Sequence, residues 1–411
     1  MDSEDATLPC FRASVVRQCG VPALALALAL PGSGCATGRS SERPAVTATT
    51  AAAAPKKPER VDLPETVISV QRAELELVGM DEAQLFDCGT RAFTASDPPR
   101  AARCFDRLVG LFPDSQNWVS ALYNAALAQE KMQAWPAALE RWERYLARFA
   151  KGAPAAADEV DASFHAAFCE HEQGLLDAAG ARLHALSERE GLLQSRRGEA
   201  MAQEAVCRIE AAGLARSARS QDPTKLAGRG EGERLLRAAL ALYEKAGPDG
   251  EADPGLLAQA EFWIGEVYRS YFQEVALDPA SMAEKGLAEA LETKAQFLLS
   301  AQGHYLRAIR KGDGEWATAS GFRIGELYEE LHRQMVAARV PADLTAEQAR
   351  VYREELKQKV RVLLDKAMKV YEQTLATAQR VNARSAYVEK TSEALGRMRT
   401  LLLEERRPAV N

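Results

Sequence analysis

Small and apolar residues recur at helical spacing between Glu82 and Pro113 and divide this stretch into two short halves. Counted from Glu82, positions 8, 20, 24, 27 and 32 hold Gly89, Ala101, Phe105, Leu108 and Pro113. Small residues let two helix backbones approach, larger apolar residues fill the space beside them, and proline ends the second helix. The pattern predicts an antiparallel helical hairpin, which needs neighbours because it cannot bury its own apolar face.

The same positions are filled twice more along the chain. Counted from Val119, positions 4, 7, 8, 20, 24 and 27 hold Leu122, Ala125, Ala126, Ala138, Trp142 and Tyr145. Counted from Val160, positions 7, 8, 20, 24 and 27 hold Ala166, Ala167, Ala179, Leu183 and Leu186. The three segments resemble tetratricopeptide (TPR) repeats, whose hairpins of about 34 residues stack into a superhelix. Here the starts are 37 and 41 residues apart.

The C-terminal half has its own repeat, because residues 262–268 (FWIGEVY) return sixty residues later as residues 322–328 (FRIGELY). Their Ile-Gly pairs and final tyrosines match positions of a TPR first helix. Long amphipathic helices are predicted over residues 281–310 and 345–380, where apolar residues recur at three- and four-residue steps. The second half is therefore expected to consist of enlarged TPR-like hairpins.

Residues 217–232 interrupt these patterns with Gly, Pro and polar residues and show no apolar period. Such a composition favours a linker between sub-domains. We therefore predict TPR-like repeats over 61–216, a linker over 217–232 and long-helix repeats over 233–405.

Residues 1–34 are typical of a signal peptide. Two arginines precede the apolar run of residues 21–30, which is too short to span a bilayer. Small residues then lead to Cys35. This resembles the lipobox of bacterial lipoproteins, although Gly32 stands where that family usually has leucine. The resemblance implies that Cys35 carries a lipid anchor and, because Ala36 follows it, that the anchor lies in the outer membrane.

Residues 35–60 are rich in Ala, Thr, Pro and Ser. Such a segment cannot bury enough apolar area to offset the entropy of ordering, so a disordered tether is expected. The alternative for this end of the chain is an ordinary secretory signal in which Cys35 is incidental.

The composition supports a helical, soluble body. The chain has 411 residues, of which 27% are charged and 47% hydrophobic, and it is rich in helix-forming Ala, Leu, Glu and Arg. The formal net charge is -6 with both signs interspersed, so no basic surface for nucleic acid is predicted. The predicted fold class is all-α, an α-solenoid of antiparallel helical hairpins.

The TPR resemblance also implies a binding groove. In TPR proteins, defined positions of each first helix line the concave face, and the register assigns these positions to Phe86, Phe93, Tyr123, Leu127, Phe164 and Phe168. An apolar, aromatic lining implies a protein partner that docks a hydrophobic or amphipathic segment. The alternative is that the register is off by one residue or that these rings pack against neighbouring helices.

One candidate chemical site lies on the third hairpin. His165, Cys169 and Glu172 are spaced i, i+4 and i+7 and share one helical face, as a metal site or a thiolate pair requires. Phenylalanines and alanines surround them, which favours a structural role. No Walker A, H-E-x-x-H or nucleophile-elbow motif occurs in the sequence. No enzymatic activity, metal or cofactor is therefore expected.

Four cysteines belong to the body of the chain: Cys88, Cys104, Cys169 and Cys207. An exported compartment permits disulfides, and a Cys88–Cys104 bond is conceivable across one hairpin. We favour the interpretation that all four are small buried hydrophobic residues.

These features predict a lipoprotein that acts as a protein–protein interaction scaffold facing the periplasm. The overall plan resembles the TPR lipoproteins of the gliding-motility machinery. The alternatives are an outer-membrane assembly factor of TPR-lipoprotein type and a helical enzyme that uses His165 and Cys169.

Overall fold

A computed structural model describes residues 76–149, 156–213, 223–245, 253–277, 284–338, 340 and 344–405. Within these ranges the chain forms thirteen α-helices and no strand, which confirms the all-α class. The predicted signal peptide, Cys35 and the tether lie outside the described residues. The helices in chain order are α1 Glu82–Thr94, α2 Pro98–Leu111, α3 Trp118–Lys131, α4 Trp135–Leu146, α5 Ala157–Glu172, α6 Leu176–Ser187, α7 Gln194–Ala211, α8 Pro223–Lys245, α9 Pro254–Glu274, α10 Glu284–Arg310, α11 Gly314–Ala337, α12 Ala346–Val381 and α13 Ala386–Glu405.

Each helix packs against the next, so the described helices form a TPR-like α-solenoid of six hairpins followed by α13. In the second half, the first helix of each hairpin also contacts the first helix of the next. The longer hairpins predicted there are confirmed. Helices α8, α10 and α12 contain 23, 27 and 36 residues, whereas α2, α4 and α6 contain 14, 12 and 12.

The period of the array is visible in contacts between successive hairpins. Arg141 of α4 binds Asp106 of α2, 35 residues earlier, through two hydrogen bonds of 2.8 and 2.6 Å. His171 of α5 contacts Glu210 of α7, 39 residues later, at 2.5 Å. The two separations differ by about one helical turn, and each is within a few residues of the 37- and 41-residue spacings of the repeats.

Glycine and aromatic residues join the two helices of several hairpins in the same way. The ring of Phe105 lies against Gly89, the ring of Tyr305 against Gly265, and the ring of Tyr371 against Gly325. A Cβ atom on these glycines would lie 2.5, 2.6 and 2.1 Å from the respective ring. The small and aromatic positions recognised in the first repeat therefore recur in the enlarged hairpins.

The predicted linker is wrong for residues 223–232, which are the first part of α8. Gly232 lies against α7, because a Cβ atom there would meet Ile209 at 2.4 Å. Arg229 is only 4% exposed and binds Ser270 at 2.9 Å. Gly232, and Gly228 beside Ala212, permit close helix packing rather than a loop. Residues 217–222 lie outside the described residues.

The buried apolar residues form two clusters, and these meet on α5 rather than at the predicted linker. Ala162, Ala166 and Cys169 belong to the N-terminal cluster. Val160 and Phe164, on the other side of the same helix, belong to the C-terminal cluster. Helix α5 therefore contributes one face to each half of the core.

Candidate functional site

Five of the six predicted groove residues are half-buried on α1, α3 and α5. We call this set the aromatic face, and its members are Phe86, Phe93, Tyr123, Leu127 and Phe168. The sixth, Phe164, is 1% exposed, so its assignment to an open groove is wrong. Its ring packs in the C-terminal core cluster, where the guanidinium of Arg196 on α7 lies 5.4 Å from the ring centroid. For Phe164 the alternative holds, since the ring packs against neighbouring helices.

Each side chain of the aromatic face packs partly against the N-terminal or C-terminal core cluster and keeps part of its surface exposed. The Tyr123 ring meets Trp142 edge-on, with centroids 5.0 Å apart. Phe168 meets Trp135 at 5.3 Å. These contacts hold the rings in place, and a partner that covers them would lose little additional side-chain entropy.

A positive charge lies beside the aromatic face. The Nζ atom of Lys131, an exposed residue at the end of α3, lies 3.6 Å from the centroid of the Phe93 ring on α1. A cation over an aromatic ring is attracted by the ring quadrupole, and this contact joins the first two hairpins. The face therefore combines apolar area with a cation.

The candidate site on α5 is organised by a residue that the sequence did not indicate. Glu130 of α3 accepts hydrogen bonds from Trp142 Nε1 at 2.6 Å, from His165 Nδ1 at 3.0 Å and from Cys169 Sγ at 3.6 Å. The imidazole of His165 also stacks on Trp142, with centroids 4.6 Å apart. Glu130 lies 35 residues before His165. The same separation recurs between successive hairpins, so the repeat spacing could have identified Glu130 as a partner of His165.

The environment of Cys169 does not suit nucleophilic chemistry. Burial raises the pKa of the thiol, and the negative charge of Glu130 raises it further. A reactive cysteine requires the opposite, a lowered pKa beside positive charge. Glu172, the third predicted member, is exposed and lies 3.5 Å from His171 instead. The arrangement is typical of a polar contact that fixes the packing of α3, α4 and α5.

His171, at the end of α5, binds two carboxylates. Its Nε2 atom lies 2.5 Å from Glu210 on α7, and its Nδ1 atom lies 3.5 Å from Glu172. Burial lowers the pKa of His171, but hydrogen bonds and charge from both glutamates outweigh this effect and raise the pKa to about 9. The imidazolium therefore links the third and fourth hairpins at neutral pH.

Replacing His171 with glutamine is expected to weaken the pH dependence of stability. Protonation of His171 stabilises the fold by about 3 kcal/mol below its unfolded-state pKa of about 6.5, and this contribution is lost as the pH rises through about 9. Urea unfolding of the wild type and of His171→Gln at pH 6, 8 and 10 measures the difference. Glu210→Gln should reduce the same dependence, because it removes one carboxylate that raises the pKa. A constant difference between the wild type and His171→Gln across this range would contradict the assignment.

The second half contains a buried ionic centre that was not predicted from the sequence. Glu266 of α9 accepts a hydrogen bond from Tyr305 Oη at 2.6 Å and another from Arg269 Nη2 at 2.8 Å. Arg323 Nε of α11 lies 3.1 Å from the same carboxylate. Burial raises the pKa of Glu266, but the two guanidinium groups and the hydrogen bonds lower it to about 2. The centre joins α9, α10 and α11, and the repeated Gly-Glu pair of the two heptapeptides was its sequence signal.

For one pair of cysteines, the structure differs from the favoured interpretation that all four are free and buried. Cys88 of α1 and Cys104 of α2 form a disulfide, with Cα atoms 6.0 Å apart. Cys169 and Cys207 are free and buried, as expected of small hydrophobic residues. The disulfide joins the two helices of the first hairpin beside the contact between Gly89 and Phe105.

Two further properties concern membranes and metals. None of the helices that the structure describes is long and apolar enough to cross a membrane. In the same part of the chain, no group of three or more His, Cys, Asp and Glu side chains is arranged to hold a metal ion.

No protein-family model matches the sequence, and a comparison with curated proteins finds no significant match.

Proposed function

We propose that this chain is a non-enzymatic scaffold that binds other proteins through the aromatic face of its first three hairpins. The observation that carries the proposal is the set of half-buried apolar side chains on α1, α3 and α5. Half-buried rings that are already fixed by core contacts are typical anchors in protein interfaces. The expected ligand is an apolar or amphipathic segment of a partner, with no role for nucleic acid.

The electrostatics of the described residues support binding rather than catalysis. The buried carboxylate of Glu266 is held by cations of its own chain, and Glu130 is held by hydrogen-bond donors of its own chain. Groups committed in this way serve packing, whereas catalytic groups keep a vacant position for a substrate. Because Glu130 already holds both side chains, His165 and Cys169 are poorly placed to act on a substrate.

We further propose that the chain is anchored by Cys35 in the outer membrane and faces the periplasm. This part rests on the sequence of residues 1–60, because the apolar run, the small residues and the polar tether follow the order of a bacterial lipoprotein. A role in the gliding-motility machinery rests on the resemblance of plan alone. An outer-membrane assembly factor would share the anchor and the solenoid.

Placing two negative charges on the aromatic face is expected to abolish partner binding without unfolding the protein. Thr90 of α1 and Ser120 of α3 are exposed and occupy groove positions of the TPR register, so Thr90→Glu/Ser120→Glu adds charge without removing core contacts. Recovery of bound proteins from envelope extracts should fall at least tenfold, while the melting temperature changes by only a few degrees, because exposed substitutions cost about 0.5 kcal/mol or less.

The matched control is Leu111→Glu/Leu175→Glu. These leucines are 55% and 49% exposed and lie outside the aromatic face. The control should leave recovery unchanged. If Thr90→Glu/Ser120→Glu retains its partners while Leu111→Glu/Leu175→Glu loses them, the aromatic face is not the binding site.

A further inference from the structure

Helix α10 has an apolar stripe on each of two opposite sides. One stripe faces the core and includes Leu298, Ala301 and Tyr305, which are buried. The other faces outward and consists of Ala295, Leu299, Gly303 and Leu306, at steps of four, four and three residues. We call the second set the outer stripe. A helix on the surface of a soluble protein ordinarily has one apolar stripe and one polar face, so the outer stripe requires an explanation.

The outer stripe is well exposed. Leu299 is 63% exposed and Leu306 is 40% exposed, one on either side of Gly303. A Cβ atom on Gly303 would contact only the end of the Arg307 side chain, at 3.7 Å, so the helix surface is flat and open at this point. Two leucines that flank a flat glycine form a site on which another helix can pack closely.

Tyr328 of α11 lies beside the outer stripe, and the basic side chain of Lys366 on α12 lies on the other side of its ring. The Tyr328 hydroxyl donates a hydrogen bond to Gln302 of α10 at 2.9 Å, and Lys366 Nζ of α12 lies 5.4 Å from the ring centroid. Gln302 is within one helical turn of both exposed leucines. Helices α10 and α12 have no extended contact of their own, and Tyr328 lies between Gln302 and Lys366. We call the surface between the outer stripe and this edge of α12 the groove.

The α12 edge of this groove carries two exposed lysines and one exposed aspartate, Asp365, which leaves a net positive charge. Lys366 and Lys369 are exposed, lie one turn apart and have no carboxylate partner among the described residues. Glu372, one turn further along, is paired with Arg399 of α13 at 2.8 Å. The groove thus has an apolar edge on α10 and a basic edge on α12.

We propose that this groove binds an acidic amphipathic helix of a partner protein, with leucine-type side chains on the outer stripe and carboxylates on Lys366 and Lys369. The helical form follows from the flat surface at Gly303 between two exposed leucines, against which a second helix can pack closely. The acidic character follows from charge complementarity with the two lysines. The site lies on α10 and α12, the second helices of two C-terminal hairpins, whereas the aromatic face lies on α1, α3 and α5. The proposal is therefore independent of the function proposed above.

The test is site-specific photo-crosslinking in the full-length protein, in the cells that produce it. A photoreactive residue replaces Leu299 in one variant and Leu306 in a second. In a third, control variant it replaces Leu193, which is 70% exposed and lies before α7. The crosslinked segment is mapped by mass spectrometry, synthesised, and titrated against wild-type protein and against Lys366→Glu/Lys369→Glu.

The expected result is that positions 299 and 306 trap the same acidic, amphipathic segment while position 193 does not. The synthetic peptide should then bind at least tenfold more weakly to Lys366→Glu/Lys369→Glu. A control variant, Thr293→Glu, changes an exposed residue of α10 outside the stripe and should bind the peptide normally. A crosslink to a second copy of this chain, a crosslink to a basic or non-helical segment, or no adduct at positions 299 and 306 would each overturn the proposal.

Discussion

Replacing Glu266 with alanine is expected to lower the free energy of unfolding by about 3–5 kcal/mol, because it leaves buried charges without a counterion. Arg269 and Arg323 both pair with this carboxylate, at 2.8 and 3.1 Å. The Tyr305 hydroxyl would lose its acceptor as well. The carboxylate is 1% exposed and the two arginine side chains are 12% and 15% exposed, so the substitution leaves largely desolvated cations without their counterion. Urea denaturation followed by circular dichroism measures the change.

Glu326 provides a matched control, because it occupies the same position in the second heptapeptide, sixty residues later. Its side chain is 34% exposed and pairs with Arg323 at 2.6 Å. Solvent screens this pair, so Glu326→Ala should cost only about 1 kcal/mol or less. Equal losses for Glu266→Ala and Glu326→Ala would show that burial does not separate the two sites.

Gly325→Ala is expected to destabilise the protein by about 1–3 kcal/mol, although alanine is the better helix former by about 1 kcal/mol. A Cβ atom at this position would lie 2.1 Å from Cε1 of Tyr371. The ring cannot move aside easily, because it is fully buried and its hydroxyl donates to Glu329 at 3.1 Å. Steric overlap therefore outweighs helix propensity. Thermal unfolding of the purified variant measures the net effect.

Two further variants test whether the ring contact causes this loss of stability. Gly396→Ala, in α13, meets nothing within 4 Å and should stabilise the protein by about 0.5–1 kcal/mol. In a Tyr371→Leu background, the penalty of Gly325→Ala should largely disappear, because the overlapping ring is gone. A penalty of the same size with leucine at position 371 would mean that the ring contact is not its cause.

The fold could be predicted from the sequence because its determinants repeat. Small residues at one position of the first helix and an aromatic residue on the second recur along the chain, and each repeat meets the same local packing requirement. Gly89 with Phe105 was assigned from spacing, and the structure places their atoms in contact. The cap at the start of α1 is also local, because the carboxylate of Asp81 accepts the amide hydrogen of Gln84 at 2.8 Å.

Glycine was the residue type most open to misinterpretation. The sequence of residues 217–232 predicts a linker, since glycine is common both in loops and in close helix contacts. Gly232, in α8, instead packs against Ile209 of α7. Only the position of the neighbouring helix distinguishes these two uses.

The sequence by itself determined the helical class, the hairpin period, the enlarged second half and the helical register of the aromatic face. These depend on contacts within one hairpin or between hairpins one period apart, and such contacts leave a periodic trace. The tertiary structure alone decided which members of that register are exposed. It buried Phe164 and left Phe168, four residues on, half-exposed. It also joined Glu266 to Arg323 and Glu130 to His165. Burial and charge pairing depend on how closely successive first helices approach, and that distance is set by the packing of the whole array.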